Sequence, residues 1–291
     1  MTTFDDRIVK LVFTVGQQTV TIDTSQGDPQ NPPMIVATGS KFVDVTQNEC
    51  SLQVANLARP LRNMLATNLT PFDYNQARKS VQVWAGRVST GMFLRYQGDI
   101  VSAVPSQPPD IIMNIRSRTM QFFKNDLVAQ SYAVTAPLSQ IASDVANSMG
   151  INLQFEAADR NIQNYAYTGS VTGQMQRLQA LGPVDAYVDD NTLVCKDKGT
   201  PLTNQVHTLS QDTGMVGQVE LTEYGIRVKC LLSPNVKLGG TLTLQSVQNP
   251  SLNGNYTIYR TGFEIATRDT AFYDVIEATR YPQMFWAQSL P

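Results

Sequence analysis

His207 is the only histidine in the 291-residue chain, so catalysis by a serine nucleophile and a histidine base would depend on it. It lies in Val206-His-Thr-Leu209, which has the pattern of a strand entered from a loop. No Gly-x-Ser-x-Gly sequence is present to hold a serine on a sharp turn. We therefore expect His207 to be a partly exposed strand residue and not a catalytic base.

Three pairs of acidic residues have the composition of a glycosidase site: Asp5 with Asp6, Asp189 with Asp190, and Glu220 with Glu223. Such an enzyme needs two carboxylates held apart on a rigid scaffold, one of them in an apolar setting. Asp189 and Asp190 stand where a hairpin turn favours Asp for hydrogen bonds to the local backbone. Asp5 and Asp6 lie near the terminus, and nothing favours catalysis over solvent exposure for the two glutamates. The acidic pairs therefore predict no catalytic residue.

The sequence patterns typical of phosphate-binding and metal sites are absent as well. There is no Gly-x-x-x-x-Gly-Lys-Ser/Thr and no Gly-x-Gly-x-x-Gly, and the glycines after residue 213 do not open a helix. Cys50, Cys195 and Cys230 are far apart, with no Cys-x-x-Cys. Clustered ligands are needed for a metal, so we expect three reduced cysteines that act as small apolar residues, and neither metal nor cofactor.

The polar side chains are mostly neutral. Only 16% of the residues are charged, the net charge is −2, and the 43 Asn and Gln nearly equal the charged residues in number. A typical soluble domain has about 25% charged residues. Because affinity for phosphates comes from Lys and Arg, this composition argues against a sequence-specific nucleic-acid binder, and 42% apolar residues argue against disorder. Amides and threonines are instead suited to surfaces covered permanently by other protein, where a buried charge is costly.

Neither a targeting segment nor a membrane span is expected. Asp5 and Asp6 stand where a signal peptide needs basic residues, and no segment approaches the roughly 20 apolar residues of a membrane span. Length indicates about two domains.

The pattern of residues 7–105 is rich in β-structure. The strands predicted there are 8–13, 18–22, 41–45, 51–55, 80–84 and 100–104, with a loop at 25–33 and a helix at 59–69. Pro60 begins that helix. The Pro-rich segment 105–109 then provides the best candidate boundary.

The next part of the chain reads as a compact α+β module of two helices and a few strands. A helix follows Thr135 as the expected cap and ends at Gly150, with one apolar face. That face consists of Leu138, Ile141, Ala142, Val145, Ala146 and Met149. A second helix is predicted at 172–181 and a hairpin at 186–195. After residue 206 five strands at about 10-residue spacing predict an all-β barrel or sandwich.

The segment 213–246 opens with Thr213-Gly-Met-Val-Gly217, which leads to a core with Gly225 and Leu231-Leu-Ser-Pro234, then to Gly239 and Ser246. Asn253-Gly-Asn-Tyr256 follows as a turn. This pattern resembles that of the baseplate hub proteins of contractile-tailed bacteriophages. The structural residues of the motif are Gly214, Gly217, Gly225, Pro234, Gly239 and Ser246. The middle helices and the Tyr187-Val-Asp-Asp-Asn-Thr-Leu193 hairpin also resemble that family, which extends the resemblance over about residues 110–280.

This resemblance implies a mainly β fold with an α+β module. It implies two tail-tube-like β domains, at residues 1–108 and 206–291, on either side of a two-helix α+β module at residues 109–205. The first strand of that module, 111–121, is a candidate to pair with the C-terminal domain. The implied function is that of a structural virion protein of the tail baseplate, assembled in the bacterial host cytoplasm. It would form a homotrimeric ring between a hexameric tail tube and a trimeric cell-puncturing spike, through which the genome passes.

The C-terminal segment is a candidate interface because Met284, Phe285 and Trp286 follow the last predicted strand. Aromatic and methionine side chains are enriched at the centre of interfaces. Folding back onto their own barrel is an equal alternative. Two further functions stay open: the hub of a related contractile injection system and a receptor- or glycan-binding tail protein, although the fibrous repeats usual in the latter are missing.

Overall fold

A computed structural model describes residues 6–26, 32–66, 77–124, 126–132 and 134–281. The chain is mainly β with a small α+β part, as predicted from the sequence. Three groups of elements have hydrophobic cores of their own. We call them the N-terminal β unit, the middle module and the C-terminal β unit.

In the residues that the structure describes, the N-terminal β unit contains seven strands and one α-helix. They are β1 (Arg7–Val15), β2 (Gln18–Asp23), β3 (Ile35–Phe42), β4 (Glu49–Ala55), α1 (Arg59–Leu65), β5 (Lys79–Arg87), β6 (Gly91–Pro105) and β7 (Ile112–Arg118). Alternation of apolar and polar residues determines which side chains enter the core; in β4, for example, Cys50, Leu52 and Val54 are buried. Helix α1 has Pro60 in its first turn, as predicted. Positions 67–69 of the predicted helix lie outside the described residues.

Strand β7 belongs to the N-terminal β unit. Segment 111–121 was a candidate to pair with the C-terminal domain, but that expectation is wrong, because β7 pairs with β4 on one side and β6 on the other. Met113 and Ile115 of β7 are buried in the N-terminal core. The Pro-rich segment 105–109 is the loop between two paired strands, and the core changes only after Arg118.

The described residues of the middle module form seven short strands and two helices. They are β8 (Leu127–Ser131), β9 (Thr135–Pro137), α2 (Leu138–Met149), β10 (Asn152–Glu156), β11 (Asn161–Gln163), β12 (Ala166–Ser170), α3 (Val171–Ala180), β13 (Val184–Asp189) and β14 (Thr192–Asp197). All six apolar residues predicted for one face of α2 are buried, and Gly150 ends the helix in the left-handed conformation with φ 64°. Thr135 does not cap α2, because it lies in β9 and Pro137 occupies the cap position.

Up to residue 281, where the described part of the chain ends, the C-terminal β unit has six strands. They are β15 (Val206–Ser210), β16 (Met215–Thr222), β17 (Gly225–Leu231), β18 (Thr241–Gln245), β19 (Gly254–Ala266) and β20 (Phe272–Arg280). In the part that the structure describes, a single 3-10 turn at Pro250–Leu252 is the only helical element of this unit. The five strands predicted from spacing correspond to β16 through β20.

One continuous sheet joins the two β units. Its strand order is β16-β17-β20-β19-β3-β4-β7-β6-β5-β1-β2, with β15 and β18 attached at β19. The junction is the antiparallel pairing of β19 with β3, from Arg260 opposite Phe42 to Ala266 opposite Val36. The β19–β20 hairpin contributes Phe263, Ile265 and Phe272 to the N-terminal core, and it contributes Ile258 and Ile276, among others, to the C-terminal core.

The two β units repeat one topology. The order β3-β4-β7-β6 of the first equals the order β16-β17-β20-β19 of the second. In each unit a further strand pairs with the first part of the long strand: β5 with β6, and β18 with β19. Each long strand contains an irregularity at the corresponding point, after Ile100 in β6 and after Ile258 in β19. The units differ in two respects among the described strands: β1 is antiparallel to β5 whereas β15 is parallel to β18, and β2, which pairs with β1, has no counterpart in the C-terminal β unit.

Phe263→Ala tests whether the shared hairpin supports the N-terminal core. Phe263 is 1% exposed and its ring lies 6.2 Å from that of Tyr96. We expect the free energy of unfolding to fall by about 3–5 kcal/mol, because removing a buried aromatic ring leaves a cavity. Denaturant titration followed by circular dichroism measures the change. The control is Val247→Ala, at a residue that is 82% exposed, and it should change stability by less than about 0.5 kcal/mol. Equal effects of the two substitutions would contradict this role of Phe263.

Candidate functional site

The strongest concentration of buried charge lies where the three units meet. Lys41 of β3 donates hydrogen bonds from Nζ to Asp189 Oδ1 at 2.7 Å and to both carboxylate oxygens of Asp190 at 2.8 Å. Lys41 is 3% exposed, and the two aspartates form the end of the β13–β14 hairpin of the middle module. The predicted turn is present, with Asp190 at φ 54°. The carboxylates do not make the expected hydrogen bonds to the local backbone. They bind the ammonium group of Lys41 instead, which lies 148 residues before Asp189 in the chain.

This contact shifts the pKa of all three groups. Burial alone would lower the pKa of Lys41, but the attraction of Asp189 and Asp190 outweighs burial and raises it. Burial also opposes ionisation of Asp189, yet Lys41 lowers the pKa of that carboxyl. The pKa of Asp190 is raised, by burial first and then by repulsion from Asp189, although Lys41 acts in the opposite direction. One cation therefore holds two carboxylates that differ in how readily they ionise.

A second buried ion pair links the two β units directly. Arg95 of β6 places Nη2 2.8 Å from Asp274 Oδ1 of β20, and both side chains are almost fully buried. Its Nη1 donates to the carbonyl of Val236, and its guanidinium lies 5.7 Å from the centre of the Phe263 ring. Burial raises the pKa of Asp274 despite Arg95. Removing either partner would leave an uncompensated charge in the interior.

Further hydrogen bonds complete the junction. Asn48 of the N-terminal β unit donates from Nδ2 to the carbonyl of Val188, and the backbone N–H of Gln97 donates to Asp190. The hydroxyl of Tyr187, which is fully buried, donates to the carbonyl of Leu238. The hairpin of the middle module is thus bonded to both β units.

A cleft of about 400 Å³ opens at the same junction. It is lined by the hairpin residues 189–192, by Gln97 and by Lys237 and Leu238, among others. The lining combines amides, apolar side chains and Lys237, and its two carboxylates are already bound by Lys41. An arrangement with one acid and one base free to exchange protons with a substrate is not formed here.

His207 is buried, and the expectation of a partly exposed residue is wrong. It is 6% exposed on β15, and burial lowers its pKa. Within the described part of the chain, Nε2 has no hydrogen-bond partner, so His207 is not aligned with a carboxylate or a nucleophile through that atom. The reason is that β15 enters the C-terminal β unit beside β18 and does not run along its surface.

The other predicted site residues are dispersed. Glu220 and Glu223 are exposed at the end of β16, and Asp5 lies outside the described residues. Cys50, Cys195 and Cys230 are free thiols buried in three different cores, and burial raises the pKa of Cys195 to about 12. In the ranges that the structure describes, no group of three or more His, Cys, Asp or Glu residues is arranged to hold a metal ion. Nor does any helix there have the length and apolar character to cross a membrane.

Residues of the hub motif lie at turns and close contacts of the C-terminal β unit. Gly225 has φ 149°, and a β-carbon there would stand 2.2 Å from the carbonyl oxygen of Ala278 on β20. Gly239 has φ 78°, and a β-carbon there would stand 2.2 Å from the Tyr187 hydroxyl. The remaining motif residues occupy a turn before β16 (Gly214), the irregular part of β16 (Gly217), the turn after β17 (Pro234) and the buried turn after β18 (Ser246). Gly239 therefore allows the middle module to approach the C-terminal β unit.

The candidate interface Met284, Phe285 and Trp286 lies outside the described residues, so its role stays a prediction.

Lys41 and Arg95 were not predicted from the sequence as members of the junction. Neither has a local pattern that distinguishes it from a solvent-exposed strand residue.

Comparison with known proteins adds the identity of the family. The family model described as "Baseplate hub gp41" matches residues 8–278, which include all three units. The chain belongs to this family of baseplate hub proteins. No curated protein sequence matches the chain. The predicted resemblance to phage baseplate hubs is confirmed.

Solved structures share the fold of this hub over nearly its whole length. The 43 kDa tail protein of prophage MuSo2 from Shewanella oneidensis has a TM-score of 0.62 and 11% identity, over 93% of this chain and 96% of that one. A tail protein from Neisseria meningitidis MC58 has a TM-score of 0.63 and 8% identity, with 94% and 97% covered. The E. coli c3393 protein, a type VI secretion component similar to the T4 tail proteins gp27 and gp5, has a TM-score of 0.58 and 11% identity, with 93% and 77% covered.

Lys41→Met tests whether the junction depends on its cation. We expect the free energy of unfolding to fall by about 3–5 kcal/mol near pH 7, because two buried carboxylates lose their partner. Without Lys41 the folded state should favour the protonated acids, so their pKa values would lie above those of the unfolded chain. The variant should therefore gain stability as the pH is lowered from 7 towards 5. Denaturant titrations at several pH values measure both effects.

Two further variants control this measurement. Lys198→Met removes an exposed cation of the middle module and should leave stability nearly unchanged. The triple variant Lys41→Met/Asp189→Asn/Asp190→Asn should recover much of the loss and lose the added pH dependence. A loss that is as large in Lys198→Met, or that is independent of pH, would argue against the buried ion pair as its cause.

His207→Leu tests the burial of the histidine. Since burial lowers the folded-state pKa of His207 below its ordinary value of 6.5, its contribution to stability is present above that pH and is lost as the pH falls below it. The parent chain should lose more stability between pH 7 and pH 5 than the leucine variant does. Parallel stability curves for the two proteins would show that His207 is solvated in the folded state.

Proposed function

We propose that this hub protein forms a homotrimeric ring that adapts a hexameric tail tube to a trimeric cell-puncturing spike. The observation that carries this proposal is the internal repeat of one β topology in the N-terminal and C-terminal β units. Three copies with two similar units each would present six similar positions on one side of the ring. The same ring would offer threefold symmetry to a spike on the other side.

Partners of the ring follow from this arrangement. We place the tube protein above it and the spike below it, in the baseplate of a contractile tail assembled in the host cytoplasm. The low charge of the chain supports a surface covered by other proteins, because amides and threonines pair across an interface without the desolvation cost of charges. A lumen without strong positive charge suits passive passage of the genome during DNA ejection, since a basic surface would bind the phosphates.

The function is structural and not enzymatic in this proposal. The single histidine is buried, and the carboxylates of Asp189 and Asp190 are both bound to Lys41 at the junction of the units. A group held in this way supports the packing of three units and is not available to a substrate.

The hub of a related contractile injection system is the alternative. It is favoured by the fold shared with the type VI secretion component c3393 at a TM-score of 0.58. Both alternatives use a ring between a tube and a spike, and they differ in what passes through the ring.

The solution mass of the full chain tests the ring. Light scattering should give about three times the chain mass of 32.1 kDa, and class averages from electron microscopy should show a ring with six similar lobes. A control with 1 M NaCl should leave the mass unchanged, because the proposed contacts are largely uncharged. A monomer at all concentrations, alone and with the spike, would contradict the proposal.

A further inference from the structure

We propose that the groove between strand β8 and helix α2 of the middle module binds an extended segment of another protein. The segment adds a strand to the free edge of β8 and places a Lys or Arg side chain against Asp144. This inference goes beyond the ring proposed above and does not depend on it, because the residues that line the groove belong to a single middle module.

Strand β8 has an unpaired edge. It is antiparallel to β12 on one side, and no other strand of the described residues pairs with it. Tyr132 N donates to Tyr165 O, which continues the pairing with β12 beyond the end of β8. Because hydrogen-bonded and non-hydrogen-bonded positions alternate along an antiparallel pair, the main chain of Leu127, Ala129 and Ser131 points away from β12. These three residues offer hydrogen bonds to an added strand.

Strand β8 also lacks the features that usually protect a free edge. Its five described residues, Leu-Val-Ala-Gln-Ser, include no charge and no proline, and their pairing with β12 has no register shift. Leu127, at the start of this edge, is 84% exposed. Free edges without charges, prolines or bulges are prone to pair with another chain. The edge of β8 is therefore suited to accept a strand.

A groove of about 550 Å³ follows this edge. One wall consists of the consecutive residues 128–132, and the other consists of Asp144 and Ser148, which lie one turn apart on α2. Gln174 of α3, which is 1% exposed, completes the lining. Because consecutive residues of the strand line the groove, it runs beside the main chain of β8, where an added strand would lie.

A chain of hydrogen bonds holds Asp144 in place beside the groove. Gln174 Nε2 donates to Gln130 Oε1, Gln130 Nε2 donates to the hydroxyl of Tyr132 at 2.7 Å, and that hydroxyl donates to Asp144 Oδ2. Burial and then the bond to Asp144 raise the pKa of Tyr132 to about 12, so the hydroxyl remains a donor at neutral pH. The donors of the chain all point towards the carboxylate, which can accept further hydrogen bonds only from a donor.

Asp144 has no cation of its own chain beside it. In the described residues no Lys or Arg forms an ion pair with Asp144, whereas Asp189, Asp190 and Asp274 at the junction each have one. All 22 Lys and Arg residues lie in the described ranges, so the segments outside them contain no cation for Asp144. Residues 1–5 and 282–291 of a second copy would lack it for the same reason. A different protein with a Lys or Arg in an extended segment is the partner that fits.

Peptide binding to the full chain tests the groove. The probe is the fluorescently labelled peptide Thr-Val-Thr-Arg-Thr-Val-Thr, in which the arginine and both valines share one face of an extended chain. Fluorescence anisotropy should show saturable binding with a Kd below about 1 mM. The peptide with Gln in place of Arg should bind at least tenfold more weakly, because it lacks the charge-assisted hydrogen bonds. Absence of saturable binding of the arginine peptide would overturn the proposal.

Asp144→Asn tests the assigned contact. We expect the arginine peptide to bind this variant at least tenfold more weakly, and the glutamine peptide to lose little further affinity, because both changes remove the same ion pair. Asp212→Asn, which removes an exposed carboxylate of the C-terminal β unit, is the matched control and should bind as the parent does. Equal affinities of the parent and Asp144→Asn for the arginine peptide would refute the role of Asp144.

Ser131→Pro tests the added strand. Proline removes an N–H that points away from β12, so the pairing inside the module is retained while one bond to the added strand is lost. Binding should weaken at least tenfold with an unchanged circular dichroism spectrum. Ser131→Ala keeps the N–H and should bind as the parent does. Equal binding by these two variants would show that the segment does not pair with β8.

Hydrogen exchange provides a second measurement on the unmodified chain. With saturating arginine peptide, the amides of Ala129 and Ser131 should exchange at least tenfold more slowly, because an added strand would accept their hydrogen bonds. The amide of Gln130 faces β12 and should change little. Unchanged exchange of Ala129 and Ser131 would overturn strand addition. A monomeric chain that passes these tests would refute the ring and retain the groove, and a trimer that fails them would do the reverse.

Discussion

The β19–β20 hairpin runs through both β units, and its side chains are divided between their two cores. Ile258 and Ile276 are buried in the C-terminal core, whereas Phe263 and Phe272 are buried in the N-terminal core. A sheet cannot slide by one residue without exchanging its buried and exposed faces, so this hairpin fixes the register of the two units relative to each other. The junction with the middle module depends on that register.

Buried charges add specificity to this arrangement. Lys41 and Arg95 connect strands of the N-terminal β unit to the middle module and to β20, respectively. Such pairs cost desolvation and contribute little net stability compared with apolar residues of the same volume. Their effect is to penalise any other placement of the hairpin Asp189–Asp190, since a displaced carboxylate would be buried without a cation. The ion pairs of the junction therefore fix the relative position of the three units.

This architecture suits a protein that acts by its shape. The family is one of baseplate hubs, and the strongest polar constellation in the described residues is used inside the chain. Two β units with one topology, held at a fixed relation, provide repeated surfaces at a defined spacing. Catalysis by proton transfer would instead need an acid and a base that are not already bound to each other.

Local patterns predicted the helices, many of the strands and the family, but they did not locate the short strands between residues 127 and 170, and the strand predicted at 41–45 is the end of β3 (Ile35–Phe42). The 3.6-residue periodicity of α2 predicts its buried face completely, and the alternation of β1, β2 and β17 predicts strands, because both signals depend on neighbours along the chain. The glycines and proline of residues 213–246 were enough for the resemblance to baseplate hubs. The ends of elements were less predictable, as Thr135 shows, because a strand pairing from β11 competes with the helix for that residue.

Only the tertiary structure decided which strands pair across the chain. Alternating residues mark β3, β7 and β19 as strands but contain no information on their partners, so β7 was assigned to the wrong unit. The repeat of the two β units is invisible in the sequence because burial requires only apolar side chains at alternate positions, and many sequences meet that requirement. Burial of Lys41 and His207 likewise depends on what folds over them. The sequence by itself determined a β-rich hub protein, and the pairing of β19 with β3 determined how its two halves form one sheet.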